Sequence, residues 1–131
     1  MIARVAGLLL LLALLCRGQG TRFGAFDLWI TGGVAAWQVE VEGEGRIVGV
    51  EGGEGEAWRE PAYYDPAALA GGRIVLAAFT TRTEVPEGRV RVARLHMESP
   101  SGLTARMIAS AAVGGERIEV TVALLPAGEG R

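Results

Sequence analysis

Short apolar runs separated by glycine-rich turns constrain the fold of this sequence more than any other feature. The turn segments Gly32-Gly33, Gly43-Glu44-Gly45, Gly71-Gly72 and Gly114-Gly115 each lie between two such runs, and paired glycines between apolar segments predict turns. No part of the chain after the first 20 residues has the apolar spacing of an amphipathic helix. Parallel α/β folds need crossover helices, so the pattern indicates an all-β protein.

The phase of the apolar residues predicts about seven short strands. The run 35–42 alternates apolar and polar residues, as a half-buried strand does, whereas the run 73–81 is apolar on both faces, as in a central strand. The run 89–97 changes phase near Ala93-Arg94, which predicts a β-bulge. We therefore expect an antiparallel, jelly-roll-type β-sandwich in which a tail after Pro126 is frayed.

The first 20 residues have the three parts of a secretory signal peptide. Arg4 supplies the positive charge, Val5–Cys16 is apolar, and Gly18 and Gly20 place small residues before a cleavage site. A membrane span needs about 20 apolar residues, so the run is too short for one. We predict a signal peptide over 1–20, a single β-sandwich domain over 21–131, and a secreted or periplasmic protein without membrane insertion after cleavage.

The single cysteine, Cys16, raises the question of a lipoprotein. A lipidated cysteine normally follows a small residue, and the bulky Leu15 precedes this one, so the sequence disfavours lipidation. Cleavage after Gly20 removes Cys16 and leaves no cysteine for a disulfide.

The charge of the chain argues against nucleic acid as a partner. The formal net charge is −2, and Arg4 and Arg17 lie in the leader, so the part after cleavage is more acidic still. Binding phosphates requires a basic stripe, and none is visible. The same balance argues against adhesion to an anionic membrane surface.

The sequence lacks the residue sets that common catalytic mechanisms need. His96 is the only histidine, and it falls in the outward phase of its strand, where we expect a solvated surface side chain. No serine occupies a Gly-x-Ser-x-Gly segment, and one histidine without a cysteine makes zinc ligation implausible. We therefore predict a protein that is not an enzyme.

The long loop 51–65 carries candidate binding residues of two kinds. Its carboxylates supply oxygen ligands for calcium, although a solvated acidic loop is the simpler interpretation. Its aromatic residues present flat apolar faces that suit sugar rings, although we favour their folding back to cap the sheet. The candidate calcium ligands are Glu51, Glu54, Glu56 and Asp65, and the candidate ligand-binding aromatics are Trp58, Tyr63 and Tyr64.

Trp29 is the remaining candidate binding residue. It lies in the strand phase opposite to Phe26, Leu28 and Ile30, which predicts that it is exposed or lines a partner interface. Trp37 shares the phase of its apolar neighbours and is predicted to lie in the core.

Four segments together resemble the cohesin-like and carbohydrate-binding-like β-sandwich domains of secreted bacterial proteins. They are VAAWQVEV, YYDPAAL, RIVLAAFTT and GRVRVARLHME, in that order. Asp65-Pro66 and Leu69 match the turn of those domains, and Phe79-Thr80 match the end of the following strand. The resemblance implies a jelly-roll sandwich and a non-catalytic binding module.

We therefore expect a secreted module for protein–protein assembly at the cell envelope, whose partner is an envelope or extracellular protein. The alternative is a carbohydrate-binding module with a polysaccharide partner, and a minor alternative is a small glycoside hydrolase that uses loop carboxylates. A flat apolar face containing Trp29 would favour the first function. Exposed coplanar aromatics would favour the second, and two carboxyl groups facing across a cleft would favour the third.

Overall fold

The computed structural model describes residues 22–130, more than half of which lie in strands. The predicted signal peptide, with Cys16, lies outside the described residues. Within the described part, no helix is long and apolar enough to cross a membrane. The elements are β1 (Phe23–Thr31), β2 (Ala36–Gly52), a short 3₁₀ helix η1 (Pro66–Ala70), β3 (Arg73–Phe79), β4 (Arg89–Ala111) and β5 (Thr121–Pro126).

The five strands form one antiparallel sheet in the order β3-β2-β4-β1-β5. The predicted all-β antiparallel class is therefore confirmed, whereas the jelly-roll-type sandwich stays a prediction. Strands β2 and β4 are 17 and 23 residues long and pair with each other along most of their length. They form the centre of the sheet, and each joins two runs that the sequence predicts as separate strands.

Irregular pairing explains why the turn predicted at Gly43-Glu44-Gly45 lies within a strand. The pairing of β2 with β4 shifts register between Glu42 and Glu44 and again between Glu44 and Arg46. At such irregularities a strand bends without ending, so Gly43-Glu44-Gly45 divides β2 into two halves. The first half pairs with β3 and the end of β4, and the second half pairs with the beginning of β4.

Both halves of the sheet contribute to one hydrophobic core. Trp37 and Val39 in the first half of β2 belong to the same buried cluster as Ile47 in its second half and Leu95 in β4. Burying about 25 cal/mol per Å² of apolar surface is the main stabilising contribution. The cluster also includes Leu28, Ile30, Val41, Ile74, Leu76, Val90, Val92, Ala93 and Met97.

The predicted β-bulge near Ala93 is confirmed. Leu28 of β1 pairs with Ala93, but the next residue, Trp29, pairs with Arg91, so Val92 is the additional residue in β4. The extra residue changes the phase of the strand. As a result, both Val90 before the bulge and Leu95 after it are buried.

Candidate functional site

A shallow apolar groove lies on the side of the sheet that faces away from the core. We call this side of β3, the first half of β2 and the end of β4 the outer face. Strand side chains alternate between faces, so Gln38 points outward because Trp37 and Val39 lie in the core. The groove has a volume of ≈ 300 Å³, and its lining includes Ala36, Gln38, Tyr63, Ala77, Phe79, Ala109 and Ala111.

The register of three strands gives this groove a floor of small side chains around one amide. Gln38 of β2 lies opposite Ala77 of β3 and Ala109 of β4. Ala36 lies opposite Phe79 and Ala111 in the same way. Since methyl side chains are short, the half-buried amide of Gln38 is not covered by its neighbours in register. Within residues 22–130 the Gln38 side chain has no hydrogen bond.

Two exposed aromatic rings stand beside this floor. The N–H of Tyr63 donates to the carbonyl of Ala77 at 2.8 Å, and the N–H of Ala77 donates to the carbonyl of Tyr63 at 3.0 Å. This bridge holds Tyr63 beside β3, where Phe79 lies two residues from Ala77 on the same face. The ring centroids are 6.5 Å apart with an interplanar angle of 15°. Tyr63 is 70% exposed and Phe79 is 63% exposed.

An Arg–Glu–Arg row continues the outer face beyond the groove. Glu40 follows Gln38 by two residues, and its carboxylate accepts hydrogen bonds from Arg73 of β3 and Arg106 of β4. The distances from Glu40 are 2.9 Å to Nε of Arg73 and 3.4 Å to Nη2 of Arg106. The hydrogen bonds of Arg73, aided by Arg106 and opposed by partial desolvation, hold the pKa of Glu40 below its ordinary value.

The structure places the two other aromatics of the loop in or against the core. Trp58 is buried and packs edge-to-face on Trp37, with ring centroids 6.2 Å apart and an interplanar angle of 63°. Tyr64 is partly buried against the same core. Both side chains therefore cap the sheet, as we expect for aromatics of this loop. Of the three, only Tyr63 is available on the surface, and the prediction of Trp58 as an accessible ligand-binding residue is wrong.

The prediction that Trp29 is exposed is also wrong, because the C-terminal segment 127–130 folds back over it. Trp29 is only 4% exposed. The N–H of Ala127 donates to the carbonyl of Ala25 at 2.9 Å, and Gly130 lies against the Trp29 indole so closely that a side chain there would overlap it. The guanidinium of Arg89 lies over the Trp29 ring, 4.9 Å from its centroid. Residues 127–130 of the tail are therefore packed rather than frayed.

The four candidate calcium ligands are not brought together. Glu51 lies 2.7 Å from Nε2 of His96, and Glu56 lies 2.6 Å from Nη2 of Arg82. Glu54 accepts a hydrogen bond from the backbone N–H of Arg91, and Asp65 caps η1 by accepting from the N–H of Ala67. In the described range 22–130, no group of three or more His, Cys, Asp or Glu side chains is arranged to hold a metal ion. The predicted calcium site therefore does not form in this arrangement.

His96 lies in the outward phase of β4, as predicted, and it is partly exposed. The hydrogen bond with His96 is the main cause that holds the pKa of the Glu51 carboxyl below its ordinary value. This pair links β4 to the second half of β2, away from the groove.

Carboxylates do not line the groove. Glu84 and Glu87 line a separate, wider depression next to Gly32-Gly33, but both belong to one exposed loop. The geometry therefore gives no support to the minor alternative of a glycoside hydrolase that uses two opposed carboxyl groups.

The sequence pattern does not indicate that Phe79, Gln38, Arg73 and Arg106 form one surface. Because the run 73–81 is apolar on both faces, its alternation alone does not show which residues point away from the core. Phe79 shares the phase of Arg73, however, and alternates with the buried Ile74 and Leu76. Counting from the charged Arg73 would have placed Phe79 on the outer face.

Comparison with known proteins finds no matching family model, no similar curated protein and no similar solved structure. The resemblance to cohesin-like and carbohydrate-binding-like domains therefore stays a prediction from the sequence.

Proposed function

We propose that this chain is an exported, non-catalytic carbohydrate-binding module whose site is the groove on the outer face. The observation that carries the proposal is the pair of exposed, nearly parallel rings of Tyr63 and Phe79 beside the open amide of Gln38. Export rests on the predicted signal peptide.

The free-energy cost of exposing the aromatic pair to water supports the proposal that a ligand covers it. Fully burying a Phe side chain stabilises a protein by about 1.5–3 kcal/mol relative to leaving it exposed. The chain instead leaves most of Tyr63 and Phe79 in water, although Trp58 of the same loop is fully packed. An apolar surface of this kind, next to a few polar groups, is typical of a binding site.

The chemistry of sugars fits this surface. A pyranose ring has a flat apolar face that packs on an aromatic plane and a rim of hydroxyl groups that need hydrogen-bond partners. The outer face supplies both, with two rings at one end and the side chains of Gln38, Arg73 and Arg106 along it.

A protein partner is the second candidate function, and the flat alanine floor favours it. Ala36, Ala77 and Ala109 form a level apolar surface against which another protein's side chain would pack. The residue predicted to mark a protein interface, Trp29, is covered by the C-terminal segment. The exposed aromatic pair thus makes carbohydrate the better-supported ligand.

Affinity electrophoresis through gels containing soluble polysaccharides tests the proposal. Mannan, xylan, β-glucan, galactan and pectin form the panel, and the protein is purified after export with its own leader. We expect at least one of them to retard the chain. Tyr63→Ala or Phe79→Ala should weaken that binding by about 2 kcal/mol, roughly 30-fold.

Phe23→Ala is the matched control, because Phe23 is an equally exposed aromatic residue on β1. Its retardation should equal that of the unchanged chain. Migration unaffected by every polysaccharide, or equal retardation of the Tyr63, Phe79 and Phe23 variants, would refute the proposed function.

A further inference from the structure

We infer that the ligand of this site is a neutral glycan chain that lies along β2, and that Gln38 determines specificity by binding two neighbouring hydroxyl groups of one sugar ring. This inference rests on the proposed function and extends it to the class of glycan and the residue that recognises it.

Gln38 has hydrogen-bonding capacity that the described residues do not use. Its half-buried amide has one oxygen acceptor and two N–H donors, and in the described range its side chain makes no hydrogen bond. Burying a polar group without a partner costs about 1–3 kcal/mol, so a ligand over the groove must satisfy this amide. Adjacent donor and acceptor atoms match a pair of vicinal hydroxyl groups.

The outer face forms a long track that runs from Phe79 at one end to Arg73 at the other. Residues along a strand rise by about 3.3 Å each, so Phe79 and Arg73, six positions apart in β3, are separated by roughly 20 Å. Gln38 and Glu40 lie between these ends on the neighbouring strand. A track of this length exceeds one sugar ring and fits a chain of several.

The charged side chains on the outer face balance one another. Arg73 and Arg106 share the carboxylate of Glu40, and Glu42 lies opposite Arg73 in the register. The two positive and two negative side chains cancel. Without a net positive field, the face does not attract a polyanion, and the formal net charge of the whole chain is −2. The donor groups of Arg73 and Arg106 that do not contact Glu40 can bind neutral hydroxyl oxygens of the ligand.

Isothermal titration calorimetry with defined hexasaccharides tests this inference. The probes are cellohexaose, mannohexaose and galactohexaose, with hexagalacturonate as the charged counterpart of the last. We expect at least one neutral hexasaccharide to bind more tightly than its trisaccharide and at least tenfold more tightly than hexagalacturonate. Gln38→Leu should weaken binding of that neutral probe about fivefold, the effect of about 1 kcal/mol of hydrogen bonding.

Two further variants separate recognition from folding. Gln38→Glu keeps an acceptor and removes the amide donors, so it should also weaken binding while the thermal midpoint stays unchanged. Arg46→Gln removes a guanidinium whose ion pair with Glu98 lies away from the groove, and it should leave every affinity unchanged.

The failure of this inference differs from the failure of the proposed function. If Tyr63→Ala abolishes binding but Gln38→Leu binds as the unchanged chain does, Gln38 has no recognition role and the carbohydrate module stands. If hexagalacturonate binds as tightly as galactohexaose or more tightly, the neutral class is wrong. If no hexasaccharide binds and no polysaccharide retards the chain, both proposals fail and the protein-binding candidate remains.

Discussion

The guanidinium of Arg94 donates two hydrogen bonds to the carboxylate of Asp27, across the pairing of β4 with β1. The distances are 2.6 Å from Nε to Oδ1 and 3.1 Å from Nη2 to Oδ2. Asp27 is 2% exposed, and it also accepts a hydrogen bond from the backbone N–H of Gly128, while Nη1 of Arg91 lies 3.7 Å away. One buried carboxylate therefore connects β1, β4 and the C-terminal segment.

This arrangement makes the stability of the fold sensitive to acid. Burial raises the pKa of Asp27, but the hydrogen bonds and charge of Arg94, with smaller contributions from Arg91 and Gly128, outweigh burial and lower the pKa below its ordinary value. A depressed pKa in the folded state contributes stability that is present above the unfolded value of about 3.9 and is lost as the pH falls through the folded value. We expect Asp27→Asn to lower the free energy of unfolding by about 3 kcal/mol at neutral pH.

Urea unfolding as a function of pH checks this prediction. The unchanged chain should lose stability below about pH 4, and the difference from Asp27→Asn should shrink there, because the protonated carboxyl is then as neutral as the amide that replaces it. Glu116→Gln, at an exposed loop position, is the control and should follow the unchanged chain. A constant difference between the Asp27 variant and the unchanged chain at all pH values would contradict the argument.

The C-terminal segment 127–130 covers Trp29, and tryptophan fluorescence can test this contact. All three tryptophans are buried, so iodide should quench little of the intrinsic fluorescence. Gly130 lies against the Trp29 indole, and Gly130→Leu should lift the C-terminal segment and expose that ring. We expect one quenchable tryptophan in this variant.

Combining Gly130→Leu with Trp29→Phe identifies the exposed ring. The double variant should again show little quenching, because Trp37 and Trp58 remain in the core. Quenching that persists in the double variant would mean that the substitution loosens the core rather than the tail.

The case of Trp29 shows what strand alternation predicts and what it leaves open. The phase of β1 correctly places Trp29 opposite the core residues Leu28 and Ile30. Whether the opposite face is solvated depends on segments distant in sequence, and here residues 127–130 return to cover it. A local pattern contains no information on that contact. The sequence thus predicts on which side of the sheet a residue lies more reliably than it predicts how exposed that residue is.

The glycine-rich segments show a similar limit. Gly71-Gly72 separates η1 from β3, as expected of a turn, whereas Gly43-Glu44-Gly45 is a bend within β2. Glycine permits both conformations, and the choice depends on whether a neighbouring strand continues to pair. Because β4 extends alongside both halves of β2, pairing continues, and the predicted seven strands become five. The groove depends on this register, which sequence reasoning did not predict.

Trp58 and Tyr63 lie five residues apart in the same loop, but truncating them should have very different effects on the free energy of unfolding. Trp58→Ala removes a buried ring packed on Trp37, and we expect a loss of about 3–5 kcal/mol in the free energy of unfolding. Since small domains have only about 5–15 kcal/mol, this variant should be marginally folded. Tyr63→Ala removes a mostly exposed ring and should change stability by less than about 1 kcal/mol.

Thermal unfolding followed by circular dichroism compares the two variants. Trp58→Phe is the matched control, because it keeps an aromatic ring in the core and should recover much of the stability. If Trp58→Ala were as stable as Tyr63→Ala, Trp58 would not be a core residue. It would then again be a candidate ligand-binding residue.

The loop that carries both residues is held against β4 through a close approach of two backbones. The N–H of Gly53 donates to the carbonyl of Trp58 at 2.6 Å, and the N–H of Glu54 donates to the carbonyl of Arg91 at 2.8 Å. A Cβ atom on Gly53 would overlap the backbone of Arg91 and Val92. We therefore expect Gly53→Ala to cost about 1–3 kcal/mol, the usual effect of overpacking.

Gly49→Ala provides the matched control for this last prediction, since a Cβ at Gly49 meets no atom within 4 Å. It should leave the free energy of unfolding within about 0.5 kcal/mol of the unchanged chain. Urea unfolding of both variants measures the difference. Because the backbone contacts of Gly53 position the loop that carries Tyr63, Gly53→Ala should also weaken polysaccharide retardation while Gly49→Ala does not. Equal stability of the two variants would show that the loop is not held by this approach, and the position of Tyr63 would then depend on its bridge to Ala77 alone.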